Sequence, residues 1–351
     1  MKELKNIAVI ILNWNGAALL ERFLPTVIRF SDRAISEVIV ADNGSSDGSL
    51  ELLKTEFPDV RVIAFPENLG FAGGYNAAIE QVDSEYVLLL NSDVEVGENW
   101  LGPLYEKISE DGTIAAVQPK ILALNDRNRF EYAGACGGFM DKYGYPFCRG
   151  RIMNDTEKDV GQYDAETDVF WCSGAALLVR RDVYRAVGGL DENFFAHMEE
   201  IDLCWRIRNR GFRTLVCPSS KVWHLGGGTL PMNHPRKLML NYRNNFLMLY
   251  KNLPRNEFRT LMSVRIFMDF ASACIFLLKG ELGNMKAVFS AYRSFMSMRP
   301  QYSHSDVPLN RECIYPASIV MAYFLKGHRK FLDLHYKLIS NFFVKETNRG
   351  K

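Results

Sequence analysis

Within the first 120 residues, short apolar runs alternate with stretches whose apolar residues recur at helical spacing, and that alternation admits few architectures. The runs are Ile7–Leu12, Glu37–Ala41, Val60–Ala64, Tyr86–Leu90 and Ile114–Val117. Between them Leu19, Phe23, Val27 and Phe30 lie three or four positions apart, as do Leu50, Leu53 and Phe57. Such a pattern predicts an α/β domain, with a mostly parallel central sheet covered by helices on both faces.

Parallel strands bring the residues at their carboxyl ends to one edge of the sheet, where open α/β folds hold their ligands. The run Tyr86–Leu90 enters Asn91-Ser92-Asp93-Val94-Glu95, and Asp93 and Glu95 are hard oxygen donors suited to Mg²⁺ or Mn²⁺. Asp42 succeeds another strand and precedes Asn43-Gly44-Ser45-Ser46-Asp47-Gly48; a carboxylate there can accept the imide N–H of uracil or thymine. In Asn68–Asn76, three glycines, Gly70, Gly73 and Gly74, and the amides of Asn68 and Asn76 open a helix, where backbone N–H groups favour phosphate. Neither a Gly-Lys-Ser/Thr phosphate loop nor a GxGxxG fingerprint occurs, which removes the main support for mononucleotide kinases and dinucleotide oxidoreductases. Glu199, Glu200 and Asp202 crowd a helix start beyond what capping needs, so one of them could act as a general base. His224 lies at a further strand-to-loop junction, as a metal ligand or a diphosphate donor. Each motif alone also reads as a turn, a helix cap or a structural histidine.

Length and a 48% hydrophobic content allow a full core. The seven cysteines form no CxxC pair, which argues for reduced thiols in a cytosolic setting. The first apolar run is too short for a signal-peptide core, and the longest apolar stretch, Leu261 to Leu278, contains Arg265 and Asp269; no membrane-spanning segment is expected. Charge is asymmetric: residues 1–233 carry 23 Lys+Arg against 34 Asp+Glu, whereas 234–351 carry 19 against 7. Those cations are interleaved with Phe, Met, Leu and Tyr, which favours an anionic membrane surface over nucleic acid as partner. The expected organisation is a domain over 1–233, with a donor half to about 120 and an acceptor half after it, and a basic helical extension over 234–351. The Gly-, Tyr- and Asp-rich stretch 121–170 falls on the acceptor side.

In order, Asn13-Trp14-Asn15, Asp42, Asn68–Asn76, Asn91-Ser92-Asp93, Trp171 with Gly174, Glu199-Glu200-Ile201-Asp202 and Trp223-His224 resemble the family 2 inverting glycosyltransferases, whose fold is GT-A. The bacterial rhamnosyltransferase branch, which elongates lipid-linked cell-surface glycans, is the most similar. The resemblance implies a dTDP- or UDP-sugar donor bound by Asn13, Asn15, Asp42, Asn68, Gly70, Gly74, Asn76, Ser92, Asp93 and Trp171. It also implies a Mn²⁺ or Mg²⁺ held by Asp93 and His224 with help from Glu95, and a base at Glu200, with Glu199 and Asp202 beside it. Asn91 stands where relatives carry the first Asp of a DxD, and Glu199-Glu200 where many carry Glu-Asp. A lipid-linked acceptor would place the enzyme at the inner face of the cytoplasmic membrane; homo-oligomerisation stays open. The rival readings are a catalytically degenerate nucleotide-sugar-binding protein and a sugar-phosphate nucleotidyltransferase. The latter expects a Gly-rich, Arg- and Lys-bearing signature where this chain has Asn13-Trp14-Asn15-Gly16.

Overall fold

The computed structural model describes residues 5–226 and 234–334. The last stretch of the expected extension, 335–351, and most of the glycine turn after His224 lie outside the described residues. The first half runs β1 (Ile7–Asn13), α1 (Ala17–Phe30), β2 (Ser36–Asp42), α2 (Ser49–Glu56), β3 (Arg61–Ala64), α3 (Gly70–Ile79), β4 (Tyr86–Asn91), β5 (Val94–Val96), α4 (Gly102–Glu110) and β6 (Ile114–Ala123). Short strands come next: β7 (Asp126–Phe130), β8 (Gly138–Asp141), β9 (Pro146–Cys148), β10 (Arg151–Ile152), β11 (Asp155–Thr156) and β12 (Thr167–Asp168). The chain then continues through β13 (Ala176–Arg180), α5 (Arg181–Ala186), α6 (Glu199–Asn209), β14 (Arg213–His224), α7 (Pro235–Asn252), α8 (Arg255–Leu278), α9 (Leu282–Met298), β15 (Ile314–Tyr315) and α10 (Ile319–Lys326).

The main sheet has the order β12-β14-β6-β13-β4-β1-β2-β3, with β5 on β14 and β7 on β6. β13 lies antiparallel between β4 and β6, so β3, β2, β1, β4, β6 and β14 all run in one direction. Their carboxyl ends therefore gather Asn13, Asp42, Asn91 and His224 along one edge. Side chains alternate across the sheet as the pleat requires. In β1, Ala8 and Ile10 join the core that contains α3 and α6, while Ile7, Val9 and Ile11 join the core under α1, α2 and α4. Both faces are covered, which is why these strands read as unbroken apolar runs.

Within the stretch 121–170, β7 and β12 join the main sheet, while β8 to β11 form a second sheet, ordered β11-β10-β9-β8-β15. Its last strand comes from the C-terminal third: Ile314 pairs with Met140. Helix α7 likewise sends Phe246, Leu247, Met248 and Leu249, all fully buried, into the main core. The seven cysteines are free thiols.

Helix α8 is, among the described residues, the one helix long and apolar enough to cross a membrane by length and composition. Its two interior charges are consumed within the fold. Arg265 donates to Asn245 Oδ1 at 2.7 Å and stacks 3.9 Å over the Tyr145 ring, while Asp269 accepts from Tyr145 at 2.9 Å and Tyr292 at 2.8 Å. The charged side thus faces inward, and Ile266, Phe267, Phe270, Leu277 and Leu278 face outward.

Gly138 pairs with Trp171 across an isolated bridge, and the indole fills the space a side chain would need, so that a Cβ there would overlap the ring. Because Trp171 is buried and cannot retreat, Gly138→Ala should lower stability by about 2 kcal/mol, read from its urea unfolding midpoint.

Candidate active site

Strand β14 has a register shift between Cys217 and Lys221, after which it pairs with β5 on one side and the end of β6 on the other. That second half carries His224 opposite Val94, next to the turn that holds Asp93. His224 Nε2 lies 3.0 Å from Asp93 Oδ1 and 3.4 Å from Asn91 Nδ2. His224 Nδ1 lies 3.5 Å from Glu131 Oε1 without closing a good hydrogen bond. Burial would push the imidazole pKa down, yet its contacts with the Asp93 and Glu131 carboxylates outweigh that and raise the value to about 10. Burial likewise opposes ionisation of Asp93, but the His224 contact wins and holds its carboxyl below the ordinary range. The pair is therefore an ion pair. Glu131, a lone acid after β7, carries no motif, and an acid flanked by Phe130 and Tyr132 in a glycine-rich stretch was its sole sequence signal.

At the other end of the edge, Asp42 is fully buried. It accepts from Asn13 Nδ2 at 2.9 Å and from the Ser45 amide at 2.9 Å. Asn15, at φ 51°, accepts the Ser46 amide at 2.8 Å, so both asparagines of Asn13-Trp14-Asn15 knit β1 to the turn after β2. Asn13 Oδ1 is buried without a partner. Asn43, overlooked in the sequence because it sits among turn residues, bonds Asn68 Oδ1, the Gly70 carbonyl and the Leu69 amide. Asn68 Oδ1 in turn takes the Gly70 amide at 2.8 Å, so the amides of Leu69 and Gly70 are satisfied by side chains. Ser92 and Asp93 form the turn between β4 and β5.

Helix α6 opens with the acid cluster, and its three members differ sharply. Glu199 is buried with Oε2 unpartnered; burial and then the neighbouring Glu200 push its pKa well up. Glu200 keeps part of its side chain open to solvent, and burial of the rest raises its pKa to about 7. Its Cβ lies 3.6 Å from the position a Cβ would take on Gly174, which also faces Phe71. Gly174 leads into β13, whose neighbour Ala175 accepts the Asn91 amide at 3.0 Å. Glu200 and the Asp93 turn thus approach the same sheet edge. Asp202 is instead locked: it accepts from Arg206 Nε at 2.9 Å, Lys251 Nζ at 3.0 Å and Asn252 Nδ2 at 2.7 Å. Those partners overcome burial and hold it ionised below the usual range, so it ties α6 to α7 and is not a free base.

Four further expectations change. Glu95 is spent on Arg127, 2.6 Å away, beside Trp223 and apart from His224. Trp171 points its Nε1 at the Phe139 carbonyl, 3.0 Å away, and is a wall of the second sheet. A Cβ on Gly74 would meet Leu12 Cδ1 at 2.6 Å, so this glycine lets α3 approach β1. Asn76 bonds Tyr184, Glu192 and both backbone groups of Leu190, joining α3 to the loop before α6. The polar atoms of Glu95, Trp171 and Asn76 are thus already paired within the scaffold, and Gly74 serves close packing.

Among the described residues, no group of three or more His, Cys, Asp or Glu is arranged to hold a metal by itself. Asp93 and His224 fit the protein's share of a site completed by substrate phosphates, the usual manner of Mg²⁺ binding. Removing a partner from the Asp202 hub should be costly: Lys251→Met leaves Asp202 and Asp191 short of a cation. A loss of about 3 kcal/mol in denaturant unfolding is expected.

Residues 8–188 match the family described as Glycosyl transferase family 2. The chain is 27% identical over 259 residues to the N-acetylglucosaminyl-diphospho-decaprenol L-rhamnosyltransferase of Mycobacterium tuberculosis, covering 69% of this chain and 83% of that one. Solved structures share the fold at low identity. GalNAc-T7 with UDP, GalNAc and Mn²⁺ gives a TM-score of 0.55 at 18% identity, covering 72% of this chain and 48% of that one. S. aureus TarS 1–349 with UDP-GlcNAc gives 0.56 at 14%, covering 83% and 81%. A parallel sheet edge carrying Asp93 and His224, a carboxylate helix facing it and this sequence match together make the chain a member of the family 2 glycosyltransferases, on a GT-A fold.

Proposed function

We propose that this transferase moves a hexosyl group, in the most specific reading rhamnosyl, from a dTDP- or UDP-sugar to a hydroxyl of a lipid-linked glycan, with inversion at the anomeric carbon. One observation carries the reading: the carboxylate at the sheet edge and the one on α6 that approaches it are pushed apart in acidity. Asp93 is held ionised, whereas Glu200 sits at about 7. Splitting titratable groups in this way separates a charge-binding role from a proton-transfer role. The names of the mycobacterial rhamnosyltransferase and of the UDP-bound structures support the donor and acceptor classes.

Asp93 and His224 would hold a Mn²⁺ or Mg²⁺ against the donor diphosphate, and such an ion when bound neutralises the charge that develops on the leaving nucleoside diphosphate. Asp42, Asn13 and Asn15 shape the nucleoside end, where the unpartnered Asn13 Oδ1 is an acceptor awaiting a donor. Glu200 takes the proton of the acceptor hydroxyl as that oxygen attacks. Phe71 and Gly174 bound the space in front of it.

The acceptor class also fits the outward face of α8, whose apolar side chains are exposed while the surrounding C-terminal sequence is basic. We infer that this face lies on the inner leaflet of the cytoplasmic membrane, without crossing it. The triple change Phe267→Ser, Phe270→Ser, Leu278→Ser should reduce flotation with anionic vesicles about tenfold at unchanged melting temperature; undiminished binding would remove the docking proposal.

The base assignment is tested by Glu200→Gln, expected to lower kcat roughly a thousandfold. Turnover by the wild type should fall tenfold per unit as pH drops below about 7. Stability has the opposite sign. Folded Glu200 binds its proton more tightly than the unfolded group, whose value is 4.5, so its contribution declines as pH rises from 4.5 through about 7. Glu200→Gln should accordingly melt higher than the wild type at pH 8. Near-normal turnover in the Gln variant would leave a degenerate binding protein as the better reading.

A further inference from the structure

The loop that delivers the acid cluster is held in a conformation its sequence does not favour. Phe195, His197 and Met198 have φ of 65°, 72° and 74°, and none is glycine. Left-handed backbone is uncommon for such side chains and persists only where surrounding contacts over-determine it. Met198 is the residue directly before α6, so this strained run fixes where Glu199 and Glu200 emerge.

The contacts that hold it come from the C-terminal third. Asn244, in the middle of α7 and fully buried, shares its two amide N–H groups among three carbonyls: Phe194 at 2.9 Å, Ala196 at 2.8 Å and His197 at 2.8 Å. Its neighbour Arg243 donates to the Phe194 carbonyl at 2.9 Å and, through Nε, to Asn244 Oδ1 at 2.9 Å, which fixes the amide's orientation. Two turns further along α7, Lys251 bridges Asp191 at 2.6 Å and Asp202 at 3.0 Å, one on each side of the loop. A carboxamide suits the task because it supplies two N–H donors and no charge.

We propose that Asn244 is a positioning residue for catalysis: by clamping the left-handed run Phe195–Met198 from α7, it sets the Glu200 carboxylate against the donor edge. The C-terminal third then completes the active site as well as facing outward. This rests on Glu200 being the base, so Glu200→Gln is assayed beside the Asn244 variants.

Asn244→Leu keeps the shape and removes the donors; Asn244→Ser keeps a weaker donor. Because a displacement of about 1 Å at a reacting group can cost about a hundredfold, kcat should fall about a hundredfold in the Leu variant and less in Ser. The donor KM should stay within about twofold, since Asp93 and His224 are untouched. Asn245→Leu provides the comparison. That residue is equally buried in α7 but donates to Gly144 and accepts from Arg265, so it should lose melting temperature while keeping kcat. Wild-type kcat in a folded Asn244→Ser or Asn244→Leu, or equal loss of kcat in Asn245→Leu, overturns the proposal. If Glu200→Gln stays active, the base assignment fails instead, independently of the clamp. Should neither Asn244 variant fold, amide exchange in the wild type decides. Protection of residues 195–200 comparable to α7 supports the clamp, and exchange as fast as an exposed loop overturns it.

Discussion

His224 meets Asp93 because β14 slips its register between Cys217 and Lys221, and the arrangement of the candidate site along the sheet edge depends on that slip. Before it, the strand is an ordinary parallel neighbour of β6; after it, the chain is free to pair with β5 and carry an imidazole to the turn after β4. The 3.0 Å ion pair that results is buried, so neither charge is stable without the other. That mutual dependence keeps two segments distant in sequence at one place. A divalent ion held by His224 would need the neutral imidazole, so its binding would be favoured at higher pH.

A second constraint works from the opposite side. The acid cluster of α6 carries two adjacent carboxylates pushed toward neutrality, and the loop before them is left-handed at three non-glycine residues. Helix α7 restrains both through Asn244, Lys251 and Asn252. With β15 also completing the second sheet, the C-terminal third is continuous with the core while turning the apolar side of α8 outward. In the second half of α8 the charged pair Arg265 and Asp269 points inward while Ile266, Phe267, Phe270, Leu277 and Leu278 face outward, unlike a helix on a water-exposed surface.

Strands β1, β2 and β4 are legible because a parallel strand covered on both faces must be apolar throughout, and the placement of Asp42, Asp93 and His224 at the sheet edge is legible because each lies just beyond or at the end of such a run. The roles of Gly74, Asn76 and Trp171 were not. They stand in motifs shared with the family, but a motif does not distinguish a residue that touches a ligand from one that lets α3 approach β1 or seals the second sheet. Asp202 misled for a related reason: three acids in one helical turn look alike until Lys251 and Asn252 arrive from α7, which no local pattern announces. Glu131, Asn43 and Asn244 escaped notice since their importance lies wholly in contacts made across the fold. Antiparallel insertion of β13 was equally invisible, because Ala176–Arg180 is as apolar as its parallel neighbours.

The account turns on Asp93 and His224 forming a donor site that works with a divalent ion. The most direct test is a thermal-shift titration of the full chain with UDP, dTDP, GDP and ADP, each with and without Mn²⁺, on the wild type and on His224→Ala. A ligand bound only by the folded state must raise the melting temperature. The account predicts a Mn²⁺-dependent rise with UDP or dTDP that disappears in His224→Ala. A rise that ignores Mn²⁺, or one that survives loss of His224, would contradict it.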